Sequence, residues 1–211
     1  MATKIKTYEI VNLPGGTTYR KLQLEKGAKV RVEPIALRAF SEGVLYGKQR
    51  RVSNEEKEAR KLMGEAAVYD ALQANKDGWA IISRERPGTI LAFECKYLFA
   101  ATTAFFAAEC GVTVEPFEVR NDEIKENSEA GKYWQKYTNP DKEKFFIGFD
   151  SGVIPISVEP GESVVVYHGY WLAMEGGLNM QPKDNDLIVT NKDKAARMLY
   201  IRACNLPFTH H

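Results

Sequence analysis

At 211 residues, with 44% apolar and 27% charged residues, the chain suits one globular domain carrying insertions. A formal net charge of +1 gives no global pull toward nucleic acid or an acidic membrane. Cys95, Cys110 and Cys204 are scattered and form no Cys-x-x-Cys pair, so they read as reduced thiols in a cytoplasmic setting rather than as a disulfide framework.

The opening MATKIKTYEI lacks the apolar core of a signal peptide. Residues 7–11 alternate as a strand, Pro14-Gly15-Gly16 turns, and residues 19–24 alternate again. After Lys48-Gln49-Arg50-Arg51 the period changes. Ser53 with Glu56 makes a capping box, and Ala59, Leu62, Met63, Ala66, Tyr69 and Leu72 form a stripe at helical spacing. Asp77-Gly78 stops it, so the pattern predicts an inserted amphipathic helix over 53–76. Residues 79–83 resume as a strand.

The apolar run 90–108 has a nearly bilayer-spanning length, but Glu94 and Lys96 lie inside it. Each would cost roughly 2.5–3.5 kcal/mol near a bilayer centre. Rich in Phe, Tyr and Thr, the run reads as a buried strand pair and not as a membrane span. Residues 112–119 alternate. A polar insertion over 120–144 carries Tyr133, Trp134 and Tyr137, and Asn139-Pro140-Asp141 closes it with a turn. FFIGFDSGVIPISV opens the last third, and two strand-like runs, 187–190 and 198–203, follow. No low-complexity linker divides the chain, so residues 1–211 read as a single β domain.

Internal repetition is the strongest pattern. LEKGAKVRVEPIALRAFSEGV (24–44) and VEPGESVVVYHGYWLAMEGGL (158–178) share a glycine turn, a strand, a break and a second strand. ERPGTILAFECKYLFAAT (85–102) is a looser copy, which makes Gly27, Gly88 and Gly161 equivalent turns. A two-stranded unit cannot bury its apolar face alone, so three such units must pack on one another.

Catalytic or cofactor chemistry is hard to find. His168 stands alone at the break in the third copy and reads as a turn residue before it reads as a base or metal ligand. Asp150-Ser151-Gly152 lies between strands, without the strained strand-to-helix turn of a serine nucleophile. Gly15-Gly16 and Gly176-Gly177 match no phosphate-binding loop. Lys48, Arg50, Arg51, Lys57, Arg60 and Lys61 cluster, but Glu55, Glu56 and Glu58 sit among them, as on a solvated helix face. Tyr133, Trp134 and Tyr137 fit an interface anchor or a loop pinned to its own core.

The third unit, with Gly152, Pro160-Gly161-Glu162, Gly169 and Leu172-Ala173, resembles the characteristic segment of the altered-inheritance-of-mitochondria family of β proteins. Residues 26–44 resemble that family's opening repeat, with Lys26 where proline is usual and Pro34 where glycine is usual. The resemblance implies a mainly β, TRAP-like fold, related to the tryptophan RNA-binding attenuation protein. That fold is a compact double-stranded β-helix or prism of three related β units, with 53–76 and 120–144 as additions. It brings no catalytic residues.

The resulting expectation is a non-enzymatic, self-associating β scaffold or structural subunit that forms a homo-oligomer, needs no metal or cofactor, and acts through assembly or partner binding. The candidate interface is Leu62, Met63, Ala66, Tyr69, Tyr133, Trp134 and Tyr137. Two alternatives stay open: a cupin-like small-molecule-binding module, in which case an enzyme is conceivable, and an RNA-binding protein using the basic segment 48–61.

Overall fold

Alternating apolar residues along most of the chain become strands, and their pairings repeat. The computed structural model describes residues 5–12, 18–47, 54–63, 69–84, 88–101, 105–122, 132–167, 169–184 and 186–203. After an N-terminal strand β1 (Ile5–Asn12), the first group holds β2 (Thr18–Leu24), β3 (Lys29–Val32), β4 (Leu37–Phe40), β5 (Val44–Gly47), β6 (Asp70–Ala74) and β7 (Gly78–Ser83). The second holds β8 (Thr89–Phe93), β9 (Tyr97–Ala100), β10 (Phe105–Glu109), β11 (Thr113–Glu118), β12 (Tyr133–Thr138) and β13 (Phe145–Phe149). The third holds β14 (Val153–Val158), β15 (Ser163–Val166), β16 (Trp171–Glu175), β17 (Leu178–Lys183), β18 (Asp186–Asn191) and β19 (Arg197–Arg202). Among the described residues a helix, α1 (Asn54–Leu62), lies between β5 and β6.

Each group uses the same four antiparallel pairings. Its first and third strands flank the sixth, and its second and fourth flank the fifth. Even an irregularity recurs: the third strand slips register between Leu37 and Ala39, between Phe105 and Ala107, and between Trp171 and Ala173. A bulge in the same place each time bends the third strand alike in every group.

Two further pairings join the groups, β3 with β10 and β9 with β16. Four sheets result, in the orders β1-β2-β7-β4, β5-β6-β3-β10-β13-β8, β11-β12-β9-β16-β19-β14 and β15-β18-β17. The two six-stranded sheets each take three strands from each of two groups. Apolar side chains fill the space between successive sheets. Leu22, Val30, Ile82 and Phe146 belong to the first core, Leu98, Phe105, Tyr137 and Leu172 to the second, and Trp134, Val166, Leu187 and Leu199 to the third. β10 and β13 feed cores on both faces and are buried throughout, which explains the unbroken apolar runs FFAA and FFIGF.

The mainly β reading holds, and the run 90–108 forms strands, but three of them, β8, β9 and β10, shared between two sheets rather than one strand pair. The predicted helix over 53–76 is shorter: α1 ends at Leu62, and Asp70–Ala74 is a strand. Tyr69 and Leu72 fit a helical stripe, but Asp70, Leu72 and Ala74 also alternate inward, and β6 gains a ladder on each side from β3 and β5. Two ladders outweigh local helix propensity. The insertion 120–144 is likewise no appendage at its C-terminal end, because β12 pairs with both β9 and β11.

Gly88 is not the equivalent of Gly27 and Gly161. The latter two turn between the first and second strands of their groups with φ of 88° and 80°. In the second group that connection is residues 94–96, so the glycine spacing sits one strand out of step. The three connections still share a hydrogen bond from the end of the fifth strand: Ala74 N–H to Ala28, Asn139 N–H to Lys96 and Asn191 N–H to Glu162 carbonyls.

At the end of α1, Met63 is 1% exposed whereas Leu62 is 48% exposed. Met63→Ala is expected to cost about 2–5 kcal/mol. Leu62→Asp should stay within about 0.5 kcal/mol of wild type. Urea unfolding of both variants checks this assignment of the helix face.

Candidate assembly interface

Among the described residues β4 and β15 end their sheets, although the strands that match them elsewhere are paired on both sides. β10 and β16, which correspond to β4, are buried along almost their whole length, and β4 alternates between half-buried and exposed. β3 and β9, which correspond to β15, bury their second and fourth residues, whereas β15 buries only Val166. Phe40 on β4 is 38% exposed and Val165 on β15 is 48% exposed. Ile35 and Tyr167, just outside the two strands, are also exposed.

Other sheet edges are managed differently. β1 covers the outer side of β2, and the edge strands β11, β14 and β17 contain Pro116, Pro155 and Pro182. Proline removes a ladder donor and discourages further pairing. β15 reads SVVV, with neither proline nor charge. β5 and β8 share that lack, but their positions in the pairing scheme are outer edges in every group, apart from the β1 addition.

A polar anchor marks the junction between the first two groups. Glu33 follows β3 and donates its backbone N–H to the Phe106 carbonyl across that junction. Its carboxylate accepts a hydrogen bond from the buried guanidinium of Arg60 on α1. Arg60 also lies over the rings of Tyr69 and Phe105, at 5.5 and 5.7 Å from their centroids. Burial pushes the Glu33 carboxyl up to about 7, against the opposing pull of Arg60. Nearby, Tyr46 donates to Asp70 at 2.7 Å, and that bond raises the phenol to about 12.

The family model for mitochondrial biogenesis AIM24 matches residues 11–198. The chain belongs to this family. A Streptococcus pyogenes protein solved by X-ray crystallography as a structural genomics target is similar in fold, with a TM-score of 0.65 at 13% identity over 94% of each chain. No curated protein sequence matches the chain.

In this AIM24 family member most of the residues expected at an interface serve the chain's own interior. Met63, Tyr69, Trp134 and Tyr137 are buried, which corrects their assignment as partner-facing. Trp134 packs on Trp171 at 4.2 Å between centroids, and Tyr137 stacks on Phe145 at 5.1 Å. These aromatic residues pin β12 between two cores. Leu62 is exposed and Tyr133 half-buried, with Lys132 over the Tyr133 ring. Ala66, His168, Lys48, Arg50 and Arg51 lie outside the described residues. Arg60 is engaged internally and is thus lost to the basic cluster as an RNA contact, while Lys61 pairs with Glu58 on the surface.

Neither β4 nor β15 stood out in the sequence. The signal that finds them is comparison with the matching strands, and it needs the pairing scheme first. Among the described residues no three His, Cys, Asp or Glu side chains group as metal ligands, and no helix is long and apolar enough to cross a membrane.

The Glu33 anchor predicts a pH signature. An ordinary glutamate titrates near 4.5, and in the fold this carboxyl holds its proton up to about 7. The folded state therefore binds the proton more tightly, and stability is lost as pH rises through that window. Wild-type Tm is expected to fall between pH 5 and pH 8, and Glu33→Gln should show a smaller fall across the same range.

Proposed function

We propose that this protein is a non-enzymatic, self-associating β scaffold that works through assembly or partner binding. The observation that carries the reading is the unmatched pair β4 and β15, two edges open among the described residues where their counterparts are covered by the adjoining group. Unpaired backbone groups beside exposed Phe40 and Val165 form a surface that a neighbouring subunit satisfies. A TRAP-like organisation, in which each unit's sheet is completed by its neighbour, belongs to this reading and is supported by the β3–β10 and β9–β16 junctions.

The non-catalytic part of the reading rests on chemistry. Burial pushes the Cys95 thiol up to about 12, far from a nucleophilic thiolate. Ser151 is buried, and among the described residues its hydroxyl has no hydrogen-bond partner that could serve as a base. Apolar side chains occupy the spaces between the sheets, where a cupin-like module would hold its ligand. Free thiols at Cys95 and Cys110 suit the reducing, cytoplasmic setting that completes the proposal.

Light scattering tests it. Wild type at high micromolar concentration should have a native mass that is a multiple of 23.8 kDa. Val165→Lys, which puts a charge on the open edge, should return the mass to a single chain with Tm nearly unchanged. A wild-type protein of single-chain mass at that concentration contradicts the proposal.

A further inference from the structure

We infer that a groove between β11 and β17 binds a free fatty acid of medium chain length, with the carboxylate at Arg120. The site is separate from the open edges β4 and β15 and does not depend on self-association. It lies at the margin of the third core, where a six-stranded sheet faces one of three strands. Its volume is about 610 Å³, within the ordinary range of small-molecule sites.

Strand pairing builds the floor of the groove. Phe117 on β11 stands directly opposite Trp134 on β12, and Phe99 on β9 stands directly opposite Met174 on β16. Lys136 is opposite Phe99 and two residues from Trp134, so all four apolar side chains share one face. Phe99 and Phe117 meet edge to face at 5.0 Å between centroids. The floor therefore crosses β11, β12, β9 and β16, three strand spacings or about 14 Å, which suits an extended acyl chain of medium length. Leu178 and Met180 on β17 form the facing wall. The thioethers of Met174 and Met180 are flexible enough to mould to such a chain.

Polar groups at the groove select the head group. Glu118 is neutralised by Lys132 at 3.0 Å. Arg120, just past β11, is exposed and has no ion pair among the described residues. Trp134 is 3% exposed, and among the described residues its ring N–H has no acceptor. A cation beside an apolar floor fits a carboxylate on a hydrocarbon chain. A partner's β-strand fits poorly, because β11 carries Pro116 and β17 carries Pro182, and proline discourages strand addition at either edge.

The first junction shows what this position accommodates. By strand pairing Trp134 is the counterpart of Tyr69, and Trp171 is the counterpart of Phe105. Arg60 of α1 lies over Tyr69 and Phe105, Met63 is buried at the helix end, and α1 lies against β11. At the second junction the two indoles meet directly at 4.2 Å, and the groove lies beside β17, the counterpart of β11. The cation and apolar chain that α1 brings to the first junction are supplied at the second by Arg120 and the bound acyl chain.

Isothermal titration calorimetry of the full chain with decanoate, below its micelle concentration, tests the site. Wild type should show saturable binding of one decanoate per chain. Arg120→Glu should weaken it by roughly tenfold or more, and Phe117→Ser by a similar factor. Both residues are exposed, so Tm should stay close to wild type in each variant. Decanol, which keeps the chain and lacks the charge, should bind wild type about as weakly as decanoate binds Arg120→Glu. Val165→Lys should bind decanoate as wild type does, which separates this site from the assembly reading.

Absence of saturable binding to wild type would overturn the inference, as would binding that Arg120→Glu and Phe117→Ser leave unchanged. Equal affinity for decanol and decanoate would overturn the carboxylate assignment. Binding that appears only when residues 123–131 are replaced by a Gly/Ser linker would give the groove to the chain's own segment. Binding that appears only on dilution to single-chain mass would give it to a second copy.

Discussion

Backbone hydrogen bonding between neighbouring groups is the constraint on which this architecture depends. In each group the second and third strands, separated by a short break, end up in different sheets, so neither sheet is completed by the group that supplies it. The ladders β3–β10 and β9–β16 complete the two inner sheets. A buried N–H or C=O without a partner costs free energy comparable to a lost hydrogen bond, about 1–3 kcal/mol. The chain therefore satisfies its inner strands by sharing them, and among the described residues the same sharing leaves an open edge at each end.

Packing follows from that arrangement. At the junctions β10 and β16 are buried along almost their whole length and carry unbroken apolar runs, whereas their partners β3 and β9 bury alternate residues. Phe93, Phe145 and Tyr137 form a run of stacked rings, with centroid separations of 5.4 and 5.1 Å. Trp134 and Trp171 do the same service in the third core. Such aromatic pairs add about 0.5–1.5 kcal/mol beyond their area. The helix α1 ties the first junction from outside through Arg60, and Glu33 beside the ladder gives that tie its pH dependence.

Much of this was legible in the residues. Alternation located β2, β7 and β11, the resemblance of residues 145–180 pointed to the correct family, and the apolar run after Gly88 read as strands despite its length. What misled was coincidence of period. Tyr69 and Leu72 satisfy a helical stripe as well as an inward alternation, and only pairing with β3 and β5 decides between them. Glycine spacing placed a turn at Gly88 because a short strand lies on each side of it in every copy. The true connection at residues 94–96 has no glycine to announce it. Trp134 and Tyr137 sit among polar neighbours in sequence and inside two cores in space, since β12 alternates between them. The open edges had no sequence signature at all, because an edge is defined by a missing partner.

Amide hydrogen exchange at residue resolution, followed against protein concentration, tests the central claim most directly. The outward N–H groups of Tyr167 and, by alternation, Val165 should be protected at high concentration and lose that protection on dilution, while β18 behind them stays protected throughout. Equal exchange of Val165 and Tyr167 at every concentration would show that no second copy completes this edge, and would contradict the account.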